Sequence, residues 1–249
     1  MIVYPNAKIN LGLNVLRKRK DGYHDISSVF YPVKECVDIL EIVKSEKFEF
    51  TKSGIEIPDG ENLCEKAWRL LDADFGIENV KIHLHKQIAI GAGLGGGSAD
   101  ASFTLKVLDD LFDLNLNNKE LEKYALRLGA DCPFFIDNTP KLVEGIGEKM
   151  TSIDLDLSNY EIRLVNPDIH ISTKQAYSGI VPKTPVLPVE KIIELPIIEW
   201  KGKLKNDFEE SIFEKHLQLE GIKDELYKQG SIYSSMSGSG SIVFGIFEK

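Results

Sequence analysis

Hydrophobic and polar positions change period several times along the chain. Ile9, Leu11, Leu13 and Val15 alternate with Asn10, Gly12 and Asn14, the spacing of two that predicts a strand with one buried face. The basic run Arg17-Lys18-Arg19-Lys20, a solvated arm, leads into Asp21-Gly22, and Asp-Gly between apolar alternations predicts a hairpin. Val37 to Phe50 reads as a second meander of strands, ending near Ser53-Gly54 and Pro58-Asp59-Gly60. From Asn62 the period lengthens. Leu63, Ala67, Leu70 and Leu71 recur at helical spacing, after which Val80, Ile82 and Leu84 alternate again.

Beyond a glycine-rich run, Ala101, Leu105, Leu108 and Phe112 line one face of a predicted helix. Asn117 opens another, with Glu120 completing a capping box, Leu121, Tyr124, Ala125 and Leu128 as its stripe, and Gly129 at its C-terminal cap. The stretch from Gly145-Ile-Gly-Glu148 to about Asp156 predicts a boundary, dividing the chain into residues 1–154 and 155–249. The second part holds a strand from Glu161 to Val165, a proline-punctuated stretch from Pro182 to Pro196, two helical patterns and a last strand from Ile242 to Phe247.

Composition narrows the partners. With 30 Lys and Arg against 39 Asp and Glu, the 249 residues carry a formal charge of −9. That balance argues against a broad nucleic-acid or anionic-membrane surface, so phosphate must be met by local devices. Cys36, Cys64 and Cys132 include no CxxC pair, which suggests neither a disulfide framework nor a zinc knuckle and fits a reducing compartment. Asn6, Lys8 and Asn10 interrupt the N-terminal apolar stretch, and no apolar run approaches the ~18 residues of a membrane span. The expectation is a cytoplasmic protein, with its oligomeric state, monomer or homodimer, left open by the sequence.

Five of the seven residues from Gly91 to Gly97 are glycine. A strand feeding such a loop, which in turn feeds a helix, aims backbone N–H groups and the positive end of a helix dipole at one point. This is an anion site that needs no side-chain charge. Gly91, Gly93 and Gly96 satisfy GxGxxG, but a dinucleotide fold would next require a parallel strand ending in an acidic residue, and Asp109-Asp110 lie on a predicted helix. A phosphate loop of the GxxxxGK[ST] type fits Gly91 to Ser98 except that Gly97 stands where the lysine belongs. Phosphoryl transfer here must therefore draw its cation from elsewhere in the fold. Ser98 offers a hydroxyl to Mg²⁺ or a cap to the helix.

PNAKINLGLNV at residues 5–15, GAGLGGGSADA at 91–101, LGADCPFF at 128–135 and SGSGSIVF at 237–244 resemble the ordered motifs of the GHMP kinases. DGYH at 21–24, GIGE at 145–148 and NDFE at 206–209 point within them to the branch that acts on 4-diphosphocytidyl-2-C-methyl-D-erythritol. The resemblance implies an α+β, two-domain GHMP kinase fold, with a ribosomal-S5-domain-2-like N-terminal domain that binds ATP and a ferredoxin-like C-terminal domain. It implies ATP and Mg²⁺ as cofactors and transfer of a phosphoryl group to the 2-hydroxyl of that alcohol in isoprenoid precursor biosynthesis. Lys8 matches the family's active-site lysine and Asp131 its catalytic aspartate, although read alone they are a solvated charge and a helix cap. Ala89, Ile90, Gly91, Ala92, Gly93, Leu94, Gly95, Gly96, Gly97, Ser98 and Ala99 match its ATP loop, with Ser98 also toward the metal. Tyr23 and His24 match its cytidine-binding pair, Tyr177 resembles the aromatic that closes over the base, and Asn10 and Thr173 would add polar contacts. Ser235 to Ser241 resembles the loop that supports the phosphate loop. Ala89 stands where these kinases usually carry proline, and Cys132 where they carry a small aliphatic residue. Open beside this reading stand a sister kinase for mevalonate, phosphomevalonate or homoserine, and a non-catalytic nucleotide-binding protein on the same fold.

Overall fold

The structure, a computed structural model, describes residues 1–58 and 60–249; Asp59, in the turn expected at Pro58-Asp59-Gly60, lies outside the described residues. In chain order the elements are β1 (Ile2–Val3), β2 (Asn6–Lys18), β3 (His24–Val37), β4 (Ile39–Lys44), β5 (Glu49–Gly54), α1 (Leu63–Phe75), β6 (Val80–Lys86), α2 (Gly96–Leu111), α3 (Asn118–Leu128) and α4 (Cys132–Asp137). They continue with β7 (Lys141–Gly145), β8 (Lys149–Ser152), β9 (Tyr160–Val165), α5 (Thr173–Ser178), α6 (Val189–Ile193), α7 (Phe208–Lys215), α8 (Leu217–Lys228), β10 (Tyr233–Met236) and β11 (Val243–Glu248).

The contacts group the chain into two compact units, and neither is one continuous stretch. The first gathers Met1–Lys8, Pro32–Ile90 and Gly95–Thr139; the second gathers Ile9–Tyr31, Gly91–Leu94 and Pro140–Lys249. This grouping differs from a single cut after residue 154, because long strands β2 and β3 each run through both units. Gly145 to Glu148 closes the antiparallel hairpin of β7 and β8, inside the second unit.

In the first unit the sheet order is β1-β4-β6-β5. Leu40 and Ile42 of β4 and Val80, Ile82 and Leu84 of β6 turn into a core completed by Trp68 and Leu71 of α1 and Ala101, Leu105 and Leu108 of α2. The expected Val37–Phe50 meander is corrected here: β4 pairs antiparallel and β5 parallel with β6, so β6 lies between them. A parallel neighbour requires a crossover, which α1 supplies. Both α1 and α3 open on the capping box their sequences encode, Asn62 with Glu65 and Asn117 with Glu120. Gly129 does cap α3, but with extended rather than left-handed backbone (φ 173°).

The second unit holds the sheet β10-β11-β9 and most of the sheet β2-β3-β7-β8. Its core joins Leu13, Val15 and Ile26 to Phe208, Ile212, Leu226, Val243 and Phe247. Strand β2 is not half-buried as its alternation predicts. Every residue from Asn6 to Val15 is buried. Distant chain pairs with its backbone edge, Leu13 N–H donating to the Lys205 carbonyl and Asp207 N–H to the Leu13 carbonyl. Its buried polar side chains find partners, Asn10 Nδ2 donating to Ser28 Oγ of β3 at 2.9 Å, as burial of polar groups demands. Among the described residues no helix is long and apolar enough to cross a membrane.

Candidate active site

The glycine run forms a strand-to-helix turn whose backbone only glycine adopts without strain. Gly91, Gly93 and Gly95 have φ of 66°, 84° and 70°, the left-handed region that other residues rarely enter. Helix α2 starts directly after, with Gly95 at the N-cap, no side-chain cap and no acidic residue in its first turn. The first N–H groups of a helix have no acceptor inside it, and here no carboxylate of the first turn competes for them. No side chain caps α2, so the capping role open to Ser98 is not taken.

Within the second unit, Ser237 Oγ donates to the Gly93 carbonyl at 2.8 Å, and a Cβ on Gly93 would run into the Ser237 carbonyl. Asn206 Nδ2 in turn donates to the Met236 and Gly238 carbonyls, each at 2.8 Å. The NDFE segment thus holds the second small-residue loop, and that loop holds the first half of the glycine turn.

Within the first unit, Lys8 and Asp131 come together, Nζ to Oδ2 at 3.6 Å, with side chains 4% and 34% exposed. Lys8 is not the solvated charge that its position near the N-terminus suggests. Asp131 stands at the N-cap of α4 yet makes no capping hydrogen bond with its side chain, so the carboxylate faces the lysine instead. Lys8 lies beside the turn. A Cβ on Gly95 would come within 3.1 Å of Lys8 Cγ and of Phe135 Cζ. Burial pulls the Lys8 ammonium below the ordinary lysine range, with the Asp131 carboxylate opposing. The neighbouring Cys132 thiol is pushed up to about 11 by burial, against hydrogen bonds with Ser98 and Ser102; it is inert packing, since the thiolate is the reactive form.

The second unit stacks His24 on Tyr177, ring centroids 4.8 Å apart and 23° from parallel, and Phe208 meets Tyr177 edge-on at 4.9 Å. Burial and Lys18 lower the His24 pKa, keeping its ring neutral at pH 7 with one donor and one acceptor nitrogen. Tyr23 is not part of this stack and is 60% exposed. Thr173 is exposed at the first position of α5, and Asn10 is buried with its backbone N–H donating to Ser237 Oγ at 3.3 Å. A further buried cluster, Asp38, Lys86 and Asp100, was not singled out from the sequence. Its signal was available: Lys86 continues the inward row of Val80, Ile82 and Leu84.

Two family models match, the GHMP kinases N terminal domain over residues 62–138 and the GHMP kinases C terminal over 195–249. A 4-diphosphocytidyl-2-C-methyl-D-erythritol kinase of Parabacteroides distasonis is 51% identical over 100% of this chain and 92% of its own. One from Azobacteroides pseudotrichonymphae is 52% identical over 100% and 94%. A crystal structure of 4-(cytidine 5'-diphospho)-2C-methyl-D-erythritol kinase superposes with a TM-score of 0.85 at 32% identity, covering 99% of this chain and 90% of the other. The homoserine kinase of Cytophaga hutchinsonii, at TM-score 0.62 and 15% identity, shares the fold. These matches define a kinase of the GHMP class. Within it, the chain belongs to the 4-diphosphocytidyl-2-C-methyl-D-erythritol kinase family.

Proposed function

We propose that this chain transfers the terminal phosphoryl group of ATP to the 2-hydroxyl of 4-diphosphocytidyl-2-C-methyl-D-erythritol, giving the 2-phosphate and ADP. The observation that carries the reading is the Lys8–Asp131 pair at 3.6 Å beside Gly95. The glycine turn and the first turn of α2 receive the phosphates on backbone N–H groups, residues 89–99 forming the cradle. Lys8 supplies the cation that Gly97 cannot, stabilising charge on the transferring group. Asp131 orients the attacking hydroxyl and accepts its proton as the new P–O bond forms and the bond to ADP breaks.

Mg²⁺ keeps several waters and binds through one or two protein groups plus substrate phosphates. Ser98 is the protein group we assign to it, and when bound the ion neutralises charge on the β- and γ-phosphates. The pyrimidine goes to the ring site of the second unit, where Tyr177 offers a face and neutral His24 both hydrogen-bonding modes; Tyr23, Asn10 and Thr173 are the flanking contacts. We place the reaction in the cytoplasm, in keeping with three free cysteines.

The test is coupled ADP release with Mg²⁺-ATP and four alcohols in parallel. The diphosphocytidyl alcohol alone is expected to support turnover. Activity on mevalonate, phosphomevalonate or homoserine with none on the cytidyl substrate would reassign the chain within the class, and ATP binding without turnover on any of them would make it a non-catalytic nucleotide-binding protein.

A further inference from the structure

Three ionisable side chains other than Lys8 and Asp131 lie buried together in the first unit. Lys86 Nζ donates to Asp38 Oδ2 at 2.5 Å and to Asp100 Oδ2 at 2.7 Å, and none of the three is more than 3% exposed. Asp38 Oδ1 also accepts the backbone N–H groups of Gln87 at 2.6 Å and Ile88 at 2.9 Å. The cluster therefore grips residues 86–88, the approach to the glycine turn, from one side. From the other it grips Asp100, on the helix that leaves the turn. A Cβ on Gly96, first residue of α2, would come within 2.8 Å of Lys86 Nζ and 2.9 Å of Ile88 Cγ2, so the ammonium sits directly under the helix start.

Burying three charges is a poor way to gain stability, because the desolvation cost of each ion rivals its attraction to its partners. Fixing geometry is the better-attested use of such a cluster. Asp100 Oδ1 is buried with no hydrogen-bond partner among the described residues, so the Asp100 carboxyl is held at Oδ2, which accepts from Lys86.

We propose that Asp38, Lys86 and Asp100 are positioning residues for ATP: they lock the end of β6 to the first turn of α2 and so set where the N–H groups of the glycine turn point. None touches the reacting atoms. The inference rests on the reading of that turn as the phosphate site, and it adds the device that holds the turn in register. A displacement of ~1 Å at such a site can cost ~10²-fold, so the effect is large enough to measure.

Asp100→Ala cuts the tie while leaving the neutral Asp38–Lys86 pair in place. ATP affinity, measured by calorimetry without the alcohol, is expected to fall about tenfold, with the KM of the cytidyl alcohol unchanged. Asp100→Asn keeps an oxygen for Lys86 and is expected to restore ATP affinity to within about twofold of the parent. If the alanine variant does not fold, Asp100→Ser takes its place, since a helical serine can satisfy its hydroxyl on the carbonyl one turn back. ATP affinity unchanged in Asp100→Ala or Asp100→Ser, with only the unfolding temperature lowered, overturns the proposal, as does failure of Asp100→Asn to rescue. A parent protein that binds no ATP overturns the nucleotide reading, and this inference with it; a parent that binds ATP no more tightly than Asp100→Ala or Asp100→Ser overturns this inference alone.

Discussion

Two lysines of the first unit are buried to the same degree and end in opposite states. Lys86, 3% exposed, is clasped by two buried carboxylates at 2.5 and 2.7 Å. Burial pulls its pKa down, but Asp100 and Asp38 together outweigh burial and leave it raised. Lys8, 4% exposed, faces the carboxylate of Asp131 at 3.6 Å, and that carboxylate is one-third open to solvent. There burial prevails and the pKa falls. The difference separates a closed cluster, whose charge is spent on its own neighbours, from a looser pair whose carboxylate an incoming hydroxyl can reach. An ion pair by itself marks neither structure nor catalysis; distance and access decide.

The largest expected effect lies in the closed cluster. Lys86→Met strands two buried carboxylates and should lower unfolding free energy by about 3–5 kcal/mol, read from urea denaturation. Lys8→Met leaves a carboxylate that water reaches and should cost clearly less. Equal losses at the two sites would erase the distinction.

A smaller effect concerns pH. The proposed reaction uses Lys8 as the ammonium, and burial lowers its pKa from the ordinary lysine value of 10.5. Raising the pH therefore removes the cation earlier than for a free lysine, and kcat should fall on the alkaline side before ordinary lysines titrate. Lys8→Arg, which stays charged throughout, should move that limb upward in whatever activity remains. A limb unmoved by the substitution would assign the titration to another group.

Much of the site could be read from the chain because its logic is local. The glycine turn, its helix and Gly97 in the lysine position are consecutive residues, and that missing lysine is what the role proposed for Lys8 addresses. Capping boxes at Asn62 and Asn117 are likewise short-range chemistry. What escaped is long-range. The β4–β6–β5 order depends on which strand finds which partner, and the backbone edge of β2 pairs with residues near 205–207. Asp38, Lys86 and Asp100 stand far apart in sequence, and only the inward phase of Lys86 on β6 hinted that a charge was buried. Tyr23 and His24 looked equivalent as neighbours, yet the pleat turns only His24 onto Tyr177.

The central claim is that Asp131 accepts the proton of the attacking hydroxyl opposite Lys8. Asp131→Asn keeps the shape and removes the base, so the direct measurement is kcat with both substrates saturating, beside the calorimetric affinity for ATP. The account predicts a fall in kcat of about 10²–10⁴-fold with ATP affinity essentially unchanged. A variant that keeps more than about a tenth of the parent's turnover would contradict it.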